Sequence, residues 1–295
     1  MSAVRIDGAA CARELLAETA ERGAALAARG IRPALAVLVV GDQAASQIYV
    51  RNKERACAAC GIASRRVSLP AEAPRESVLA ALAQLNADPA VHGILVQLPL
   101  PAHLDVREVI AAIAAAKDVD GFRADHLGAL LVGAPGFAPC TPSAVLRLLE
   151  AYSIPVAGRH AVVVGRSNIV GKPLALMLME RGATVTVCNS RTAVLERFTR
   201  EADVLVVAAG RPGLVTGSMV KPDAAVIDVG IHRSADGRIT GDVDFESVDR
   251  VARHLTPVPG GVGPMTVACL VANAVSAAEA SACAPLAAHS VYRAH

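Results

Sequence analysis

Four places in this sequence carry side chains suited to proton transfer or ligand binding. Tyr49 and Lys53 are four apart in a helical pattern, so they share a face. Gln97 opens Gln97-Leu98-Pro99-Leu100-Pro101 directly after the apolar run Ile94-Leu95-Val96. Asp120 lies in Asp118-Val119-Asp120-Gly121-Phe122, and Gly165-Arg166-Ser167 leads to Gly171-Lys172-Pro173. A lysine beside apolar walls loses its proton more readily than one in water and can serve as acid or base. The same Tyr–Lys spacing also suits a solvated helix face. An amide placed like Gln97 is expected to be hydrogen-bonded in a pocket. Asp120 fits either a turn or a ligand anchor.

The glycine stretch is the most structured of the four. Ala161-Val162-Val163-Val164 has the composition of a buried parallel strand and breaks at Gly165. A helical pattern opens near Gly171, with Pro173 suited to a first turn. Strand, glycine turn and helix N-terminus together favour an anion. The spacing is G-x-S-x-x-x-G, one residue longer than the usual dinucleotide fingerprint, and a ligand-free glycine turn has the same local features. The next strand, Ala183 to Cys188, ends in Asn189-Ser190-Arg191-Thr192 without the acid that binds a ribose 2′-hydroxyl in NAD sites. Arg166, Ser190 and Arg191 supply the cations and hydroxyl that a 2′-phosphate wants. The residues therefore argue for NADP over NAD.

Strands separated by helical patterns fill both halves of the chain. In the first half, strands at 34–40, 64–69 and 91–101 alternate with helices at 9–29, 44–60, 74–86 and 105–115. In the second, strands at 161–164, 183–188, 202–210 and 225–230 imply a doubly wound parallel sheet. Residues 117–142 read as a long irregular loop, of a length that is usually functional. Helix 143–152 links the halves, and the Pro/Gly loop Thr256 to Thr266 feeds a last helix that packs back on the first domain. The fold class is α/β: two α/β domains flanking a cleft, the C-terminal one of Rossmann type. The carboxyl ends of the strands would face that cleft, and ligands bind at such ends.

The totals narrow the class. The 295 residues suffice for two domains, 53% of them are hydrophobic, and the net charge is +2. That balance, with four Phe, three Tyr and no Lys/Arg-rich run, argues against nucleic acid. No apolar run approaching the roughly 20 residues of a bilayer span is expected, and the first residues lack a signal peptide's pattern, so a cytoplasmic location is expected. Cys57-Ala58-Ala59-Cys60 has no second ligand pair to complete a zinc site, and no metal is expected. Redox use of the pair is the alternative to two small buried residues.

These stretches together resemble the bifunctional methylenetetrahydrofolate dehydrogenase/methenyltetrahydrofolate cyclohydrolase family. The likeness runs from about Ile6 to Ala282. It includes Ala45-Ser46-Gln47-Ile48-Tyr49-Val50-Arg51-Asn52-Lys53, Gln97 to Pro101, Lys117 to Phe122 and Pro139-Cys140-Thr141-Pro142. Gly165 to Pro173, Asp228-Val229-Gly230-Ile231 and Pro259 to Thr266 continue it. The resemblance implies oxidation of 5,10-methylenetetrahydrofolate with NADP, then hydrolysis of the methenyl product to 10-formyltetrahydrofolate, by a homodimer. Members with one activity, or a non-catalytic binding paralogue, are the alternatives.

Carried over, Lys53 is the acid/base of hydrolysis, Tyr49 orients the folate and Gln97 bonds near Lys53. Asp120 grips the pterin's aminopyrimidine edge, a forked contact that suits a carboxylate. Leu98, Gly261, Gly263 and Pro264 shape the substrate wall. Gly165, Arg166, Ser167, Ile169, Gly171, Ser190 and Arg191 hold the cofactor, with Ile231 beside the nicotinamide. Residues 1–142, completed by helix 265–283, would bind folate, residues 143–264 would bind NADP, and 284–295 would be a tail. The sequence departs from the family at Arg123-Ala124 (usually His-Pro), His126 (Asn), Ala144 (Gly), Asn189 (often His) and His232 (often Asn).

Overall fold

Runs of β-branched residues become the parallel strands, and alanine- and leucine-rich stretches between them become helices. The computed structural model describes residues 2–42, 44–134, 136–234 and 237–283, with the side chains of 44–49 outside that description. The expected tail 284–295 therefore lies outside the described residues, as does the side chain of Tyr49.

The chain begins with β1 (Val4–Arg5) and α1 (Gly8–Ala28). It continues through β2 (Ala34–Val40), α2 (Ala44–Ala59), β3 (Ala63–Leu69), α3 (Arg75–Ala87), β4 (Gly93–Val96) and α4 (Val106–Ala111). Then come α5 (Ala124–Val132), α6 (Cys140–Ala151), β5 (His160–Val164), α7 (Gly171–Glu180), β6 (Thr184–Cys188), α8 (Glu196–Thr199) and β7 (Val204–Val207). β8 (Ala225–Asp228), β9 (His232–Arg233), β10 (Ile239–Thr240), α9 (Phe245–Asp249), β11 (His254–Leu255) and α10 (Val262–Cys283) complete it.

Contacts divide the chain into two units, one of residues 1–15 and 120–269, the other of 16–119 and 270 onward. In this grouping residues 1–15 go with the second half, to whose sheet β1 adds, and residues 120–142 go with it too. Two-residue strands such as β1 and β11 carry no periodicity to read.

The first unit holds a six-stranded sheet in the order β1-β11-β8-β7-β5-β6, parallel throughout. β6 lies on one side of β5 and β7 on the other, so the winding reverses at β5. Val162, Val164, Leu205, Val207, Val226 and Leu255 form part of its buried core. β9 and β10 make a short antiparallel hairpin after β8. The loop expected over 117–142 contains α5, whose Leu127, Leu130 and Leu131 have helical spacing that Gly128 and the Gly- and Pro-rich residues after it obscure in the sequence.

The second unit is a parallel three-stranded sheet, β3-β2-β4, with β2 central. β2 is buried on both faces, as its unbroken apolar run requires. Leu38 is wholly inaccessible. Leu38→Ala is expected to cost about 2–5 kcal/mol by cavity formation, read from denaturant unfolding; a loss under about 1 kcal/mol would contradict this packing. The later part of α10 belongs here: the Arg22 guanidinium donates to Glu279 and to Ser276 Oγ (2.8 Å), and Asn273 Nδ2 donates to the Val119 carbonyl (2.9 Å). α10 corrects one expectation, since by length and composition alone it could cross a membrane. Half of its most apolar window is buried within the protein, as in a core helix. Cys57 and Cys60 are also core residues. Burial, reinforced by the nearby Cys60 and Glu54, pushes the Cys57 thiol up to about 12. That favours the packing role over redox use.

Candidate functional site

At the carboxyl end of β5 the backbone turns at Gly165, which has φ +135°, a region only glycine enters without strain. A side chain there would overlap the Ala208 carbonyl, so the turn presses directly against the end of β7. Ser167 closes the turn on α7: its Oγ accepts from the Val170 and Gly171 amides at 3.1 and 3.4 Å. Lys172 Nζ donates to Asn168 Oδ1 at 2.8 Å.

A cavity of about 420 Å³ opens beside this turn, at the point where the winding reverses. Gly165, Arg166, Ser167, Asn189, Ser190 and Arg211 help to line it, and among the described lining residues there is no carboxylate. Asn189 shapes the rim, with its Oδ1 accepting from the Arg191 amide at 3.0 Å. Arg191 itself is exposed and is not part of the lining, nor is Ile169, which is 38% exposed. Arg211 is the basic residue that the motif reading missed. The signal was its position just beyond the carboxyl end of β7, where ligands of such sheets gather.

A larger cavity, about 600 Å³, lies among Arg159, Lys221, Arg253 and the amino ends of β7, β8 and β11. Position outranks size here, because open α/β sheets bind ligands at carboxyl ends.

Ile231 is 45% exposed, unusual for an isoleucine, and a Cβ built on Gly263 would stand 3.7 Å from its Cδ1. The structure thus brings a residue expected beside the nicotinamide next to one expected on the substrate wall. Gly263 and Pro264 form the first turn of α10, which starts earlier than the expected residue 265. A proline is tolerated there because first-turn amides have no helical partner. Asp120 is half-buried in this same unit.

Behind the cavity two buried carboxylates link the strand ends. Asp228 accepts from the amides of Gly230 (2.9 Å), Asp242 (2.9 Å) and Val243 (3.0 Å). Burial, with the charge of Asp242 adding, pushes Asp228 up to about 6 despite those three bonds. The folded state therefore holds this proton more tightly than the unfolded chain does. Its stabilising contribution is full below about pH 4 and is lost as pH rises through about 6. Relative to Asp228→Asn, the wild type is expected to lose on the order of 3 kcal/mol of unfolding free energy between about pH 4 and 7. Parallel pH profiles for the two proteins would contradict it.

In the other unit, Lys53 projects from α2, the helix that follows β2, and its Nζ donates to Gln97 Oε1 at 3.0 Å. Gln97 sits just past β4, with its amide N–H bonded to the Leu38 carbonyl at 2.9 Å. Its Nε2 donates to the Leu98 carbonyl at 2.7 Å, which fixes the amide with its oxygen toward the lysine. Lys53 is half-buried, as are Gln97 and Leu98. The structure therefore joins Lys53, Gln97 and Leu98 in one unit and Asp120, Ile231, Gly263 and the glycine turn in the other.

Several departures from the family pattern have local roles. His126 Nδ1 accepts from the Phe137 amide at 3.3 Å and its ring meets Phe137 edge-on. Ala144 is fully buried, and His232 bonds Asp242 at 2.7 Å.

A doubly wound parallel sheet with a glycine turn at its switch point and a basic cavity against it defines a Rossmann-type nucleotide-binding protein. Sequence models of the tetrahydrofolate dehydrogenase/cyclohydrolase family match most of the chain: the catalytic domain over residues 6–120 and the NAD(P)-binding domain over 139–282. The bifunctional protein FolD of Burkholderia thailandensis is 56% identical over 284 residues, which cover 96% of this chain and 100% of that protein. The bifunctional FolD methylenetetrahydrofolate dehydrogenase/cyclohydrolase of Campylobacter jejuni superposes with a TM-score of 0.93 at 46% identity, covering 95% of this chain and 99% of that one. The Trypanosoma brucei enzyme, solved with NADP cofactor and inhibitor, gives 0.94 at 40% identity, covering 96% and 100%. The chain belongs to the tetrahydrofolate dehydrogenase/cyclohydrolase family.

Proposed function

We propose a division of labour among the residues of this bifunctional enzyme. The chain is an NADP-dependent methylenetetrahydrofolate dehydrogenase and methenyltetrahydrofolate cyclohydrolase. It oxidises 5,10-methylenetetrahydrofolate to the 5,10-methenyl cation and hydrolyses that to 10-formyltetrahydrofolate. NADP⁺, when bound, supplies the hydride acceptor. The residues fit it, because the cavity beside the Gly165 turn offers Arg166, Arg211 and Ser190, with no carboxylate among its described lining residues. Arg166 and Ser190 hold the 2′-phosphate. Ser167 and Gly171 keep the turn closed on α7, and Ile169, Arg191 and Ile231 flank the cofactor.

Hydride transfer needs no side-chain acid, only positioning. Hydrolysis does need one. Lys53 takes a proton from the water that adds to the methenyl carbon and returns it to the ring nitrogen as the C–N bond breaks. Gln97 holds the Lys53 nitrogen in place. Tyr49 orients the folate, Asp120 accepts from its aminopyrimidine edge, and Leu98, Gly261, Gly263 and Pro264 wall it. Folate binding thus draws on residues 1–142 with helix 265–283, and cofactor binding on 143–264. A cytoplasmic homodimer is the setting the family resemblance supports.

The observation that carries the residue assignment is the fixed Lys53–Gln97 hydrogen bond at the carboxyl end of a parallel sheet. The test is to follow NADPH formation from 5,10-methylenetetrahydrofolate, then the decay of methenyl absorbance. A protein that does neither is a binding paralogue, and one that does only the first has kept a single activity.

A further inference from the structure

Asp242 is fully buried and lies just past the end of β10. Its carboxylate is the acceptor for four donors, three from the loop after β7 and one from β9. Oδ2 accepts from the Ala209 and Gly210 amides at 2.6 and 2.9 Å. Oδ1 accepts from the Arg211 amide at 2.8 Å and from His232 Nε2 at 2.7 Å. Three consecutive backbone N–H groups converging on one carboxylate fix the direction of the loop that follows β7. That loop supplies Ala208, Ala209 and Arg211 to the 420 Å³ cavity. The fourth donor, His232, immediately follows the exposed Ile231. Gly230 matters to the same end, because a Cβ there would collide with the Asp242 carboxyl group. Asp228 steadies the arrangement from below by accepting the Asp242 amide.

We propose that Asp242 is a positioning residue for the dehydrogenase reaction: one buried carboxylate sets both the 208–211 loop and Ile231 against the cofactor without touching it. The proposal rests on reading the Arg166–Ser190 cavity as the NADP site. It predicts an effect confined to one of the two activities. Asp242→Asn keeps the volume but turns an N–H toward backbone N–H donors, so the loop must move. Displacements on the ångström scale at a reacting pair cost up to about a hundredfold.

The test uses the full-length enzyme and measures both reactions. For Asp242→Asn the expected result is a rise in KM for NADP⁺ of about tenfold or more. Hydrolysis of added methenyltetrahydrofolate should stay within about twofold of wild type, since Lys53 and Gln97 belong to the other unit. His232→Ala is the milder variant, expected to raise the same KM by a few-fold while leaving the three backbone bonds. It decides the matter if Asp242→Asn fails to fold. An unchanged KM for NADP⁺ in both folded variants would overturn the proposal, and so would a parallel fall in both activities, which marks general loss of structure. Failure of the NADP-site reading shows differently, as Arg166→Ala leaving NADP⁺ use untouched.

Discussion

Lys53→Met is expected to stop methenyl hydrolysis while leaving NADPH formation in place. Methionine keeps the length of the stem and its packing but removes the group that can take up and return a proton. General acid–base assistance of this kind is worth about 10²–10⁴-fold, so methenyl absorbance should persist long after NADPH formation has ended. The geometry makes the loss specific. Gln97 is tied at both ends of its amide, to Lys53 Nζ and to the Leu98 carbonyl, so its oxygen holds the Lys53 amine in a fixed place. Hydride transfer depends on approach and alignment, which a methionine at this position leaves largely intact. Hydrolysis by the folded variant within about tenfold of the wild-type rate would remove Lys53 from its assigned role.

Arg166→Ala is expected to weaken NADP⁺ use far more than NAD⁺ use. A charge-assisted hydrogen bond to phosphate contributes about 1.5–3 kcal/mol, equivalent to roughly ten- to a hundredfold in KM for NADP⁺. NAD⁺ has no 2′-phosphate and should change by no more than about twofold. Arg211 lines the same cavity, so some NADP⁺ preference should survive the single substitution and fall further in the double one. Equal losses for the two cofactors would refute the 2′-phosphate assignment.

The fold was largely legible because its strongest signals are local. β2, β5, β7 and β8 are mainly runs of Val, Ile, Leu and Ala, and the glycine turn falls where such a run stops. α5 was not legible, because Gly128 and the Gly- and Pro-rich residues that follow the helix read as loop. β1, β9, β10 and β11 are two residues each, too short for any pattern. Lys53 and Gln97 were readable as candidates from their residue types and places at strand ends. Their bond joins residues 44 apart in sequence, so spacing alone could not reveal it. Arg211 and Asp242 were missed for the same reason. Nothing next to Asp242 in the sequence says that its acceptors meet amides about thirty residues earlier, a pairing that only the sheet topology makes.

The placement of β1 governs how this molecule can be assembled. β1 pairs with β11, whose residues come 250 positions later in the chain. The larger sheet therefore cannot gain β1 at its edge until β11 has been made, and closing so distant a pairing is kinetically slow. The unit that holds the smaller sheet is likewise completed only by α10, where Glu279 and Asn273 meet Arg22 and Val119. Cutting the gene at residue 142 would thus yield two fragments that each lack a piece of themselves, and they should recover both activities only when expressed together.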